Sequence, residues 1–172
     1  MSRAFKRESD AEHQFDPIVE PREVLPSGVK NYITPRGAAL FLERLRELNQ
    51  QREPLLVSIQ QAREAEAKRQ LRVLDQRISQ LQKRFDSFEI VDPGRQRSDR
   101  VLFGATVTVS DQSGQQRTYQ ICGVDETDPD QGRISWISPI ARALLSKEVG
   151  DEVRLRLPRG ERSLEIVAIE FG

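Results

Sequence analysis

Apolar residues recur in two runs whose spacing sets the reading of the whole chain. The first run is Leu45, Leu48, Leu55, Ile59 and Ala62; the second is Leu71, Leu74, Ile78, Leu81, Phe85 and Phe88. Steps of three and four predict two long helices joined along a coiled-coil seam. The runs do not share a register: continuing the first past Ala62 would put the seam on Glu66, Arg69, Val73, Gln76 and Gln80, mostly polar positions. A restarted seam predicts a turn or a crossover to a second copy. Paired antiparallel, Ala62 meets Leu71, Ile59 meets Leu74, Leu55 meets Ile78, Leu48 meets Phe85 and Leu45 meets Phe88, which puts the fold point between Glu66 and Ala67. The stretch Arg63-Glu64-Ala65-Glu66-Ala67-Lys68-Arg69 has no Gly, Pro, Asn or Ser, so on its own it prefers helix. An intramolecular hairpin in a monomer is the expectation; one continuous helix paired with a second copy is the alternative.

The hairpin is expected over residues 33–92. Thr34-Pro35 reads as its start, with Thr34 as cap and Pro35 where a missing N–H costs nothing. Pro54 is expected to bend or locally break the first helix. From Pro35 to Ala62 the arm spans roughly 40 Å and must project from a small domain. Its tip is locally basic, with Arg63, Lys68, Arg69 and Arg72 against Glu64 and Glu66. Residues 1–32 mix both charges with Pro17, Pro21, Pro26 and Gly28 and read as a flexible tail. Residues 93–99, Asp92 having closed the helix, read as a linker.

Beyond the linker the period changes to two. Strands are expected at Ala105–Ser110, Arg117–Gly123, Arg133–Trp136, Glu152–Leu157 and Ser163–Glu170. Asp111-Gln112-Ser113-Gly114 reads as a hairpin turn. Ser138-Pro139 caps and starts a short helix to Leu145. Residues 100–172 therefore form a small antiparallel sheet with one helix, and the chain is of the α+β class.

Composition changes the picture in a few places. The 172 residues carry 27 basic and 27 acidic groups, so no global field draws the chain to nucleic acid. One cysteine, Cys122, excludes an intramolecular disulfide and fits a reducing cytoplasm. The N-terminus lacks the apolar core of a signal peptide, and no apolar run is long enough to span a bilayer. His13, the single histidine, lies in the tail, which leaves Ser-His-Asp, Cys-His and zinc sites unsupported. Asp125, Glu126, Asp128 and Asp130 lack the spacing of a calcium loop and read as a solvated acidic loop. No glycine cluster forms a phosphate loop.

Several blocks together resemble the Gre (GreA/GreB) family of bacterial transcript-cleavage and elongation factors over about residues 30–172. Ile33-Thr34-Pro35-Arg36-Gly37 is similar to the family's opening Thr-x-x-Gly. Arg52-Glu53-Pro54 resembles its Arg-Pro-Glu helix break with two residues exchanged. Ile90-Val91-Asp92 and Phe103-Gly104-Ala105-Thr106-Val107 match the close of the coiled coil and the opening of the sheet. The most specific block runs from Ile134 through Trp136-Ile137-Ser138-Pro139-Ile140-Ala141-Arg142 to Leu145, followed by Lys147-Glu148-Val149-Gly150-Asp151. The details lean towards the GreB branch.

The resemblance implies an FKBP-like C-terminal domain that grips the rim of the secondary channel of bacterial RNA polymerase. The coiled coil then reaches down the channel, and two acidic residues at its tip help hold a polymerase magnesium ion and its water. On this reading the chain has no active site and no cofactor of its own. Ser138, Pro139, Ile140 and Arg142 are the expected polymerase contacts, and Arg52 and Arg63 the basic residues nearest the RNA 3′ end. Trp136 is expected to be core or edge packing. The family tip carries an acidic pair three apart in a Gly-Asp-x-x-Glu-Asn-Ala stretch. Here about ten residues around the tip are absent, a loss of roughly 7 Å of reach per helix. Glu64 and Glu66 are the acids left, and neighbours two apart on a helix point to nearly opposite sides. The expected function is a channel-binding elongation regulator with weak or no cleavage stimulation. The alternatives are an active cleavage factor working through Glu64 or Glu66 and, from the fold alone, a prolyl isomerase.

Overall fold

The computed structural model describes residues 24–62, 65–157 and 160–172. In chain order it contains β1 (Asn31–Ile33), α1 (Pro35–Ala62), α2 (Ala65–Asp86), β2 (Phe88–Ile90), β3 (Thr106–Asp111), β4 (Gln116–Cys122), β5 (Arg133–Ser135), α3 (Pro139–Leu144), β6 (Glu152–Leu157) and β7 (Gly160–Glu170). The class is α+β, as the change of period from 3.5 to 2 requires.

Helices α1 and α2 pack on each other as one hairpin within a single chain. The buried seam is Leu48, Leu74 and Ile78, with Leu45, Leu55 and Leu81 against it. The fold point differs from the expected one. Helix α2 already starts at Ala65, so Glu66 and Ala67 are helical rather than turn. Two forces move it. Ala65 to Arg69 are all strong helix formers, and Ala67, only 4% exposed, extends the seam of α2 one step before Leu71. Small alanine gives little hydrophobic signal, so the apolar pattern alone starts the seam at Leu71. The register slides with the turn: Arg52 faces Asp75, Nε to Oδ1 2.6 Å, where the expected pairing would have opposed it to Leu81. Near the base, Phe41 meets Phe88 edge-on at 4.7 Å.

Pro54 does not break α1, which runs unbroken for 28 residues with Pro54 inside it. The ring removes one backbone bond, and seam contacts on both sides (Leu48 and Leu55) hold the helix together.

The last residues of the tail and the linker are more ordered than composition suggests. Strand β1 pairs in parallel with β2, Tyr32 opposite Glu89, so residues 31–33 close the open end of the hairpin. Asn31 is 4% exposed and Ile33 fully buried; the reading of residues 1–32 as a flexible tail fails there. Residues 1–23 lie outside the described residues. In the linker, Pro93 starts a 3₁₀ turn capped by Asp92, whose carboxylate accepts from the Gly94 N–H at 3.0 Å.

The sheet has the order β5-β4-β3-β7-β6. It is antiparallel except at one edge, where β5 runs parallel to β4, a departure from the purely antiparallel expectation. The parallel step follows from the connection: residues 123–132 carry the chain back before β5 begins. The expected β3–β4 turn forms, and the Asp111 carboxylate accepts from the N–H groups of Ser113 (2.8 Å) and Gln115 (3.0 Å). The Ser113 hydroxyl on the same carboxylate, together with these backbone bonds, holds Asp111 below the usual carboxylate range. The core lies between the sheet and α3, centred on Val107, Ile121, Ile140, Leu144, Leu164 and Ile166. No described helix is long and apolar enough to cross a membrane.

Candidate functional site: the arm tip, the capped C-terminal helix and the junction between them

At the tip, Arg63 and Glu64 lie outside the described residues. Glu66 stands in the first turn of α2, where an acid suits the positive end of the helix. Its carboxylate is already engaged: Arg69 donates to Oε2 through Nε (3.0 Å) and Nη2 (2.5 Å), and Gln70 donates to Oε1 at 3.3 Å. Among the described residues, no group of three or more His, Cys, Asp or Glu side chains is placed to hold a metal ion. Arg52, the other expected RNA neighbour, lies lower on the arm in the ion pair with Asp75, which raises the guanidinium above its ordinary value.

In the sheet domain, Ser138 caps α3 by accepting the Ala141 N–H at 3.2 Å, and Pro139 fills the first helical position. Of the four residues expected to meet a partner, only Pro139 and Arg142 face solvent. Ser138 and Ile140 are each 1% exposed, and their side chains serve capping and core packing. The period of a short helix explains this: Ile140, Ala141 and Leu144 turn inward, and Arg142 is left outside. Arg142 makes no ion pair among the described residues. Trp136 packs edge-on against Tyr32 at 5.2 Å, and Tyr32 also meets Phe103 at 5.7 Å. The Trp136 indole N–H is buried without a hydrogen-bond partner among the described residues.

Between arm and sheet lies a set of contacts that the sequence did not single out. The loop after β4, read as solvated, instead touches the arm. Glu126 accepts from Thr34 and Asp125 accepts from Arg84 Nε at 2.8 Å, while Asp128 pairs within the sheet domain with Arg133 at 2.7 Å. Alternating acids in a loop look solvated when their partners lie 41 to 92 residues away in the chain. The available signal was Thr34-Pro35-Arg36-Gly37, a helix start with one donor too many for its own cap.

Cys122 ends β4 at 1% exposure, and its thiol donates to the Ile134 carbonyl at 3.4 Å. Burial, aided by the nearby Glu126 carboxylate, pushes the thiol up to about 12.

Residues 96–171 match the family model described as "Transcription elongation factor, GreA/GreB, C-term". Transcription elongation factor GreB of Neisseria meningitidis serogroup B is 38% identical over 154 residues, covering 83% of this chain and 94% of that protein. Transcription elongation factor GreA of Desulfovibrio desulfuricans is 35% identical over 150 residues, covering 81% and 93%. Among solved structures, a GreA/GreB elongation factor from Nitrosomonas europaea is 23% identical, covering 83% of this chain and all of that one, with a TM-score of 0.41. The identity and coverage shared with the Neisseria and Desulfovibrio proteins settle the assignment: the chain belongs to the GreA/GreB family of transcription elongation factors.

Proposed function

We propose that this chain binds bacterial RNA polymerase at its secondary channel and modulates elongation with weak or no stimulation of transcript cleavage. Family membership supports the polymerase as partner. The sheet domain would sit at the rim, with Pro139 and Arg142 as the solvent-facing contacts of α3, and the arm would enter the channel. A helix of 28 residues is about 42 Å long, enough to project well beyond the domain.

The observation that carries the weak-cleavage reading is the state of Glu66. Holding a hard metal ion takes several oxygen ligands. Glu66 offers one carboxylate, and Arg69 and Gln70 already occupy both of its oxygens. A magnesium ion held by the polymerase would have to compete with Arg69 and Gln70 for Glu66, which supports weak rather than strong stimulation. Contact of Arg52 or Arg63 with the RNA 3′ end belongs to the same proposal; Arg52 would have to leave Asp75 to make it.

The test is RNA release from backtracked bacterial elongation complexes, with this protein alone and then against a full-length cleavage factor. No fragment release alone, with dose-dependent block of the other factor, is the expected result. Release of short 3′ fragments by the protein alone, abolished by E66A or E64A, would establish an active cleavage factor instead. No effect in either assay would remove the channel-binding reading.

A further inference from the structure

Helix α1 begins with N–H groups that have no partner inside the helix. Its own cap is Thr34, whose hydroxyl accepts the Gly37 N–H at 3.1 Å. That leaves the N–H and the hydroxyl proton of Thr34 still to be satisfied. Both go to one carboxylate 92 residues further on, in the other domain. Glu126 Oε2 accepts the Thr34 N–H at 2.9 Å, and Oε1 accepts the Thr34 hydroxyl. Oε2 also accepts the Gly123 N–H at 3.0 Å, which folds the Glu126 side chain back on its own loop. A negative charge thus sits at the positive end of the arm's first helix.

The approach is close enough to need glycine on both sides. A Cβ at Gly37 would lie 2.2 Å from Glu126 Oε1, and one at Gly123 would lie 2.3 Å from the Tyr32 carbonyl oxygen. The neighbouring Asp125 takes the second helix: Arg84, in the last turns of α2, donates to it at 2.8 Å, and Asn31 donates at 3.4 Å. One loop of the sheet domain therefore holds α1 through Thr34 and α2 through Arg84.

We infer that Glu126 is a positioning residue that caps the arm from the other domain and sets the direction in which the arm leaves the sheet. Leverage makes this matter: a tilt of about 10° at the base displaces the tip of a ~40 Å arm by about 7 Å. The consequence for polymerase rests on the channel-binding reading above; the geometry does not.

Spin labels at K68C and Q112C, both exposed positions, measure the arm against the sheet in the full chain. Cys122 is buried and stays unlabelled. The expected result is one narrow distance distribution in the parent protein. E126A moves or broadens it by about 7 Å, the displacement of such a tilt. G37A, which displaces the Glu126 carboxylate while leaving Glu126 in place, does the same. E126Q shifts it less than E126A does, because its carbonyl oxygen can still accept both N–H groups although its amide cannot accept the Thr34 hydroxyl proton. Circular dichroism and protection of Cys122 from labelling report that each variant is folded. An unchanged distribution in folded E126A and G37A overturns the inference. A shifted arm that blocks the full-length cleavage factor as well as the parent does would uphold the positioning role and sink the channel reading instead.

Discussion

Arg52 on α1 and Asp75 on α2 face each other across the arm, Nε to Oδ1 2.6 Å, and this pair marks the register of the two helices. In this structure the pair joins two helices of one chain. A short bis-maleimide should therefore join R52C to D75C within a monomer. It should not join R52C to L81C, the pairing that a turn between Glu66 and Ala67 would impose. Denaturing gel mobility separates the outcomes; a species of doubled mass would indicate helices swapped between copies. The ion pair itself is half exposed at both ends, 41% and 44%, so salt should weaken it.

Ile140 and Arg142 are two positions apart and should fail in different ways. Ile140 is 1% exposed in the core of the sheet domain. I140A should lower stability by about 2–5 kcal/mol, as removing buried methyl groups does. Arg142 is exposed, and R142A should stay within about 0.5 kcal/mol of the parent while weakening polymerase binding. Urea unfolding and a polymerase pull-down on the same variants check both. A stable I140A with selectively lost binding would return Ile140 to the contact surface.

Cys122 should give the fold a sensitivity to high pH. Its folded thiol is pushed up to about 12, against an ordinary value of 9.0. The folded chain keeps a proton that the unfolded chain releases across that window. Stability is therefore full below about pH 9 and falls as pH rises towards 12, by at most about 1.4 kcal/mol per pH unit from this group. C122A should carry a constant offset from its small cavity and lose this part of the slope. Urea unfolding at about pH 8 and pH 10 decides it: equal slopes for parent and C122A would show that the thiol does not contribute.

The hairpin and the longer strands of the sheet were legible because their periods are long or strict, and β5 and the short helix were legible from the turn and cap residues beside them, Gly132 and Ser138-Pro139. Leu48, Leu74 and Ile78 recur as a seam should, and Val107, Val109 and Ile121 alternate as a buried face should. The turn was misplaced because Ala67 buries a seam position with too little apolar surface to register. The candidate contacts were half legible. Ser138-Pro139 announces a helix start, but six residues are too few to show which of Ile140 and Arg142 faces in. Strands β1 and β2 have three residues each, below any period. The Thr34 helix start was legible, but its link to Glu126 was not, since the acid lies 92 residues away with nothing local to mark it.

Gly104 is a position where the structure makes a sharp demand. It has a φ of +85°, in the left-handed region, and its N–H donates to the Ile121 carbonyl at 2.8 Å, which holds it there. A Cβ at this position would lie 2.3 Å from Pro93 Cγ. That atom belongs to a stiff ring, buried in the turn that follows the arm, and cannot swing aside as a long side chain would. Two penalties therefore stack in G104A, the backbone conformation and the contact with Pro93, for a loss of about 1–3 kcal/mol or more. They separate in a double-mutant cycle. P93A removes Cγ and Cδ, leaves Cβ 2.9 Å from the new methyl and leaves φ positive, so G104A should still cost stability in the P93A background, but less, by about 0.5–3 kcal/mol. Urea unfolding of the four proteins measures the coupling. A value near zero would mean that Pro93 can move off Gly104, and that the segment joining arm to sheet is looser than this contact implies.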